Sequence, residues 1–123
     1  MDLSTVLRFH EEWFYFAVIS CGVVGVTGLV LAAMKREPSR WFSYLRGVAI
    51  AAILIQVASG VSLYSNGLEP GNSFHMFYGV VIAITLTLAY LYRSTMAKRP
   101  ALTYGVLLVF VMGLGIRSWM NVS

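Results

Sequence analysis

Residues 13–34 read WFYFAVISCGVVGVTGLVLAAM, and the next four are Lys35-Arg36-Glu37-Pro38. No Asp, Glu, Lys or Arg interrupts the run, and its length meets the about 20 apolar residues that a helix needs to cross a hydrocarbon core. Pro38 opposes continuation of the helix. Three further runs follow at 48–64, 74–92 and 102–120. The second is preceded by Trp41, Phe42 and Tyr44 at interface depth and ends at Ser65-Asn66-Gly67, a turn signal continued by Glu69-Pro70-Gly71-Asn72. Arg93 closes the third run. Pro100 opens the fourth near its first turn, where proline is well tolerated, and Arg117 lies near its end. Ser4 stands where an N-cap would start the first helix ahead of the membrane.

The runs do not alternate as barrel strands do, and an open sheet edge cannot face lipid. The sequence therefore predicts an all-α integral membrane protein. Residues 1–123 form one domain, an up-down bundle with spans at about 13–34, 48–64, 74–92 and 102–120. Composition agrees, since 59% of the 123 residues are hydrophobic and only 11% are charged, too few to clothe a soluble domain of this size.

The net charge of +4 is unevenly placed. Seven of the nine basic residues fall in segments 35–46 and 93–99, accompanied by one acid, Glu37. The opposite side carries Arg8, Arg117 and the other four of the five acids, Asp2, Glu11, Glu12 and Glu69. Basic loops are retained in the cytoplasm during insertion, so both termini are expected on the extracytoplasmic side, with a bacterial or archaeal plasma membrane as the setting. The basic charge is accounted for as a topology signal, and no nucleic-acid partner is expected.

Cys21 is the single cysteine. Val18-Ile19-Ser20-Cys21 loosely fits a lipoprotein cleavage box, but Glu11 and Glu12 break the region where a signal peptide needs an apolar core, and apolar sequence continues to Met34. The first helix is expected to remain in the mature protein. Trp13, Phe14, Trp41, Tyr44, Tyr64, Tyr92, Tyr104 and Trp119 sit near span ends as an interfacial belt, with no further role assigned. Gly22, Gly25 and Gly28, with Gly105, Gly113 and Gly115, read as helix-packing sites. No internal repeat is apparent.

Polar side chains inside a membrane protein are costly, and each is a functional candidate. They are His10, Glu11, Glu12, Gln56, His75 and Arg117. All are expected near the outer surface except Gln56, which is expected deeper. His10 and His75 open the first and third helices at the same end. A low-spin haem takes two axial ligands, and imidazole is a common choice, so the pair could hold the iron of one b-type haem. On the third helix Gly79 and Ala83 share the face of His75, and on the first Ala17, Cys21, Gly28 and Ala32 lie near that of His10, leaving room for a flat macrocycle. Gly60, one turn beyond Gln56, could line the same space. Against this, histidines at span ends often bond only to water, and small residues usually serve packing. The intervals from each histidine to the next basic loop also differ, placing the two about 10 Å apart in depth at 1.5 Å per residue unless the third helix runs past Arg93 or the first tilts. Arg117 is a candidate to pair with Glu12 or to hold an anionic group such as a haem propionate.

The stretch 55–88 resembles one half of a heme A synthase. It carries Gln56 and Gly60 at a spacing of four, then an outer loop with Gly67 and Pro70, then Phe74-His75 opening a helix. The resemblance implies a four-helix bundle with haem ligands toward the outer side, His75 being one of them and His10 standing where the other is expected. The family's motif has a glutamate three residues before that first histidine and a basic residue after it, where this chain has Leu7 and Glu11. The glutamate tied to the family's chemistry therefore has no direct counterpart, and no catalytic residue is assigned.

Three functions remain open on the sequence. One is a small membrane subunit of an electron-transfer or haem-handling system, with haem b held by His10 and His75. The second is a cofactor-free accessory or assembly subunit of a respiratory or photosynthetic complex. The third is a single-half heme A synthase-like enzyme working as a homodimer. Partners are the lipid bilayer and other membrane subunits or further copies of the chain. A membrane anchor for a soluble dehydrogenase lacks an evident docking segment. Small drug exporters share the length and four spans, but they need an acid deep in the first helix, and none lies between Trp13 and Met34.

Overall fold

The computed structural model describes residues 2–67 and 73–120. It is all helix, in the order α1 (Leu3–Ala33), α2 (Arg40–Ser65), α3 (Ser73–Leu91), α4 (Arg93–Met96) and α5 (Pro100–Met120), with no strand among the described residues. Four of these helices, all but the short α4, are long and apolar enough to cross a membrane. Their outward faces are apolar too. Tyr15, Phe16, Ile19, Val23 and Val26 of α1 are each about half exposed or more, a surface suited to lipid and not to water.

Two helices extend well beyond their apolar runs. α1 starts at Leu3 because Asp2 is the N-cap, its carboxylate accepting from the Ser4 backbone N–H at 3.4 Å and the Ser4 hydroxyl at 2.8 Å. The cap is thus Asp2 and not Ser4, as suits an anion at the positive end of a helix. At 31 residues α1 is about 46 Å long, well beyond a hydrocarbon core of about 30 Å. α2 likewise begins at Arg40, eight residues ahead of its apolar run.

α1 ends in a Schellman motif: Arg36 N–H bonds to Leu31 O at 2.9 Å and Lys35 N–H to Ala32 O at 3.1 Å. Lys35 occupies the left-handed position with φ 54°. Glycine is the usual residue there, and another side chain costs about 1–2 kcal/mol.

Among the described residues α1 packs on α2 and α5, and α3 packs chiefly on α5, touching α2 only lightly. No Cα of α1 comes within 8 Å of one of α3, so these two are diagonal. The α1–α5 crossing is the tightest. A Cβ on Gly28 would stand 2.7 Å from Ala101 O, and one on Gly105 would stand 2.9 Å from Leu29 N, so backbone meets backbone there. Gly25 joins this crossing, Gly115 packs on Val18, and Gly113 meets nothing. Ala17 and Cys21 are fully buried in the core with Ala49, Ile53, Leu108 and Val111, and the Cys21 thiol lies 3.8 Å from Ala49 O. The space beside Ala17, Cys21 and Gly28 is therefore filled largely by neighbouring helices, whereas Ala32 borders a cleft at the far end of the bundle.

Several aromatic residues read as a belt are structural pins. Trp13 Nε1 donates to Ala52 O at 2.8 Å and ties α1 to α2. Phe42 is fully buried, and Tyr104 is buried with the Arg46 guanidinium 4.0 Å above its ring. Phe14 stacks on Trp119 at 6.0 Å.

Candidate functional site: two clasped histidines

The two imidazoles meet. Their ring centroids are 6.0 Å apart and their planes are 86° to one another, although the helices that carry them are diagonal. The depth difference read from the sequence closes because the third span does not stop at Arg93. Tyr92 N–H bonds to Leu88 O at 2.9 Å and Met96 N–H to Tyr92 O at 3.0 Å, so α4 carries the helical path a further turn.

Each ring is held in the same way. His10 Nδ1 lies 2.7 Å from Ser59 Oγ and 3.1 Å from Gln56 O, both on α2. His75 Nδ1 lies 2.8 Å from Ser118 Oγ and 3.1 Å from Ser118 O, both on α5. A carbonyl can only accept, so Nδ1 is the protonated nitrogen in both rings. The serine hydroxyls pass their own protons on, Ser59 to Gln56 O at 2.8 Å and Ser118 to His75 O at 3.1 Å. They are thereby free to accept from Nδ1–H. In the neutral rings the lone pair then resides on Nε2. The bonds at Nδ1 fix the orientation of each ring.

Gln56 closes the first clasp. Its Nε2 donates to His10 O at 2.8 Å. Gln56 therefore sits at the level of His10, and the deeper position expected from the sequence is corrected: α2 continues nine residues beyond it, to Ser65. Gln56 Oε1 is buried without a partner among the described residues. Gly60 lies against the ring, where a Cβ would stand 3.0 Å from His10 Cε1. Gly79, one turn from His75, is the opposite case, for a Cβ there would meet nothing within 4 Å. Ala83, a further turn on, lines a shallow groove on the face of α3 with Val80, Ile84, Thr87 and Leu88.

The acids do not join the site as expected. Glu12 is paired with Arg8 at 3.2 Å along the exposed surface of α1, and not with Arg117. Glu11 is exposed. Arg117 is exposed at the same end of the bundle as the histidines, next to Ser118. Glu69 and Pro70 lie outside the described residues. Among the described residues no three of His, Cys, Asp and Glu come together as a metal-holding group.

Ser59 and Ser118 were not among the sequence candidates, because a hydroxyl in a helix usually returns to the carbonyl four residues back. Ser20, Thr27, Thr85 and Thr87 do just that. The one available signal was position, since Ser59 follows Gln56 by three and shares its helical face. The two clasps also amount to a structural duplication with no evident sequence repeat. In each, a histidine early in one helix is anchored by a serine late in the helix it packs against.

Comparison with protein-family models, with curated proteins and with solved structures finds no match.

Proposed function

We propose that the chain is a small membrane cytochrome, holding one b-type haem through His10 and His75 and serving electron transfer or haem handling. The observation that carries this reading is the pair of imidazoles at 6.0 Å, each with Nδ1–H committed to a serine and a carbonyl. Two imidazoles bound to one metal by bonds of about 2 Å have centroids about 6 Å apart. Two nitrogens do not complete a bare zinc site, which wants four ligands. They do complete a metal whose other four positions are filled by a macrocycle, and so the donor set fits haem. The resemblance of residues 55–88 to half of a heme A synthase supports His75 as one ligand, while the motif around His10 departs from that family at Leu7 and Glu11.

The residues divide the work. Ser59 and Gln56 O fix the His10 ring, and Ser118 fixes that of His75. Gly60 lets the His10 ring lie close to α2, and Gly79 leaves space beside His75. Arg117 supplies a cation at the same end for a propionate. The haem, when bound, supplies one-electron chemistry, its potential set by axial ligands, hydrogen bonding and burial. In this reading the basic loops 35–46 and 93–99 face the cytoplasm, and the haem lies toward the opposite surface.

The test is optical. Protein purified in detergent after expression with ample haem should show a Soret band, sharpened α and β bands on dithionite reduction, and about one haem per chain. Folded protein with no Soret band would remove the reading.

A further inference from the structure

At the far end of the bundle from the histidines, the turns 35–38 and 97–102 enclose a cleft of about 430 Å³, a size that accommodates a small ligand or headgroup. Lys35, Arg36, Lys98 and Arg99 line it, with Glu37 as the one carboxylate. We infer that this cleft is a binding site for a phosphate-ester anion, of which the headgroup of an anionic phospholipid is the source best placed to reach it.

The retention of basic loops accounts for the sign of charge at this end but not for its convergence on one cavity. Two of the three other cations of the same end, Arg46 and Arg93, are occupied elsewhere. Arg46 covers the Tyr104 ring at 4.0 Å. Arg93 covers the Tyr90 ring at 4.2 Å and donates to Tyr90 O at 2.8 Å. The four cleft cations have no ion pair with a described residue, Glu37 included, since Arg8–Glu12 is the one such pair among the described residues. Four cations gathered against one acid repel each other unless an anion joins them. The start of α5 adds to the positive field, for the N–H groups of Ala101 and Leu102 have no acceptor within the helix and both residues line the cleft. Lys35 reaches the cleft from the left-handed backbone position, φ 54°, that glycine would fill without strain. Basic pockets between membrane helices are the setting in which anionic lipid headgroups are held.

The experiment compares two double variants of equal charge. Lys35→Gly with Lys98→Gln empties the cleft of two ammonium groups, and glycine suits the backbone at position 35, so the fold is retained. Arg40→Gln with Arg93→Gln removes two cations outside the cleft. Each protein, in neutral detergent, is titrated with phosphatidylglycerol, phosphatidylcholine or inorganic phosphate while thermal stability is followed. The unmodified protein should be stabilised saturably by phosphatidylglycerol and not by phosphatidylcholine. The cleft variant should bind at least about 10-fold more weakly, each lysine near an anionic surface being worth about a factor of five, and the outer variant should keep its affinity. Inorganic phosphate acting with the same dependence on the cleft would support the site and identify a soluble phosphate as its ligand. Equal response to the two lipids, or equal loss in the two double variants, would overturn the inference.

Discussion

The His10 clasp and the His75 clasp are built from the same parts, yet they differ in how firmly the rest of the molecule holds them. His10 sits on α1, which packs along both α2 and α5. It is reinforced by Gln56 Nε2 on its carbonyl and by Trp13 on Ala52 O one turn below. His75 sits on α3, whose apolar window is 11% buried against 39% for α1, and its hydrogen bonds to the bundle all go to Ser118. One imidazole is thus set in a rigid wall and the other on the helix with the least packing. A two-ligand site needs both rings in register, and the structure places the freedom to adjust on the α3 side. The α2–α3 edge, the most loosely packed of the four around the bundle, is where a planar group would enter.

The largest effect expected from this contrast is on cofactor content. His10→Ala and His75→Ala should each cut haem per chain more than about 10-fold, since neither leaves two axial ligands. They should differ without haem. His10→Ala loses the bonds to Ser59 and Gln56 O and should lower apoprotein stability by about 1–2 kcal/mol, whereas His75→Ala should have the smaller effect, by denaturant titration in detergent. Equal destabilisation would erase the distinction between the wall and the loosely held helix.

A second pair of variants tests the space around each ring. Gly60→Val places a methyl-bearing carbon within 3.0 Å of His10 Cε1, so the ring must shift and haem content should fall several-fold. At Gly79→Leu the Cβ meets nothing within 4 Å among the described residues. Apoprotein stability should therefore be unchanged while haem loading falls, because the side chain would occupy the room the macrocycle needs. Unchanged loading in Gly79→Leu would place the haem elsewhere than beside α3.

The serines give a smaller effect. Ser59→Ala and Ser118→Ala should each cost about 0.6–1.7 kcal/mol, the range of interhelical hydrogen bonds measured in membranes. Removing the acceptor at Nδ1–H makes the imidazole a weaker donor to the metal. Each ring keeps one carbonyl acceptor, Gln56 O for His10 and Ser118 O for His75, so the midpoint potential should rise modestly and by a similar amount in both. The smallest change is expected for Trp13→Phe. It should lose about 0.6 kcal/mol with the bond to Ala52 O and leave the visible spectrum unaltered, which stability and absorbance on one sample would show.

The fold was legible because hydrocarbon punishes unpaired backbone amides and ionised side chains so heavily that apolar runs and their basic punctuation leave little choice. The same physics hides detail. Any helix end can extend into the interface, and so α1, capped by Asp2, and α2, starting at Arg40 without a side-chain cap bond, both run beyond their apolar stretches. The histidines were legible as residue types costly in a membrane and as a pair at one end of the bundle, but the continuation of the third span through α4, which the sequence offered only as a condition for matching their depths, was not. Glycines divided by neighbour: Gly25, Gly28 and Gly105 lie at a helix crossing, Gly60 at a ring, and Gly79 beside open space, a distinction no spacing encodes. Ser59 and Ser118 were hidden because hydroxyls satisfy themselves locally in most helices.

The central claim is that His10 and His75 ligate one metal from opposite sides. Electron paramagnetic resonance of the oxidised, haem-loaded protein tests it most directly. Two imidazoles with planes near 86° should give a single low-spin ferric signal of the strongly anisotropic kind produced by perpendicular ligand planes. It should be absent from both histidine variants. A high-spin axial signal, or a low-spin signal that survives in His75→Ala, would contradict the account.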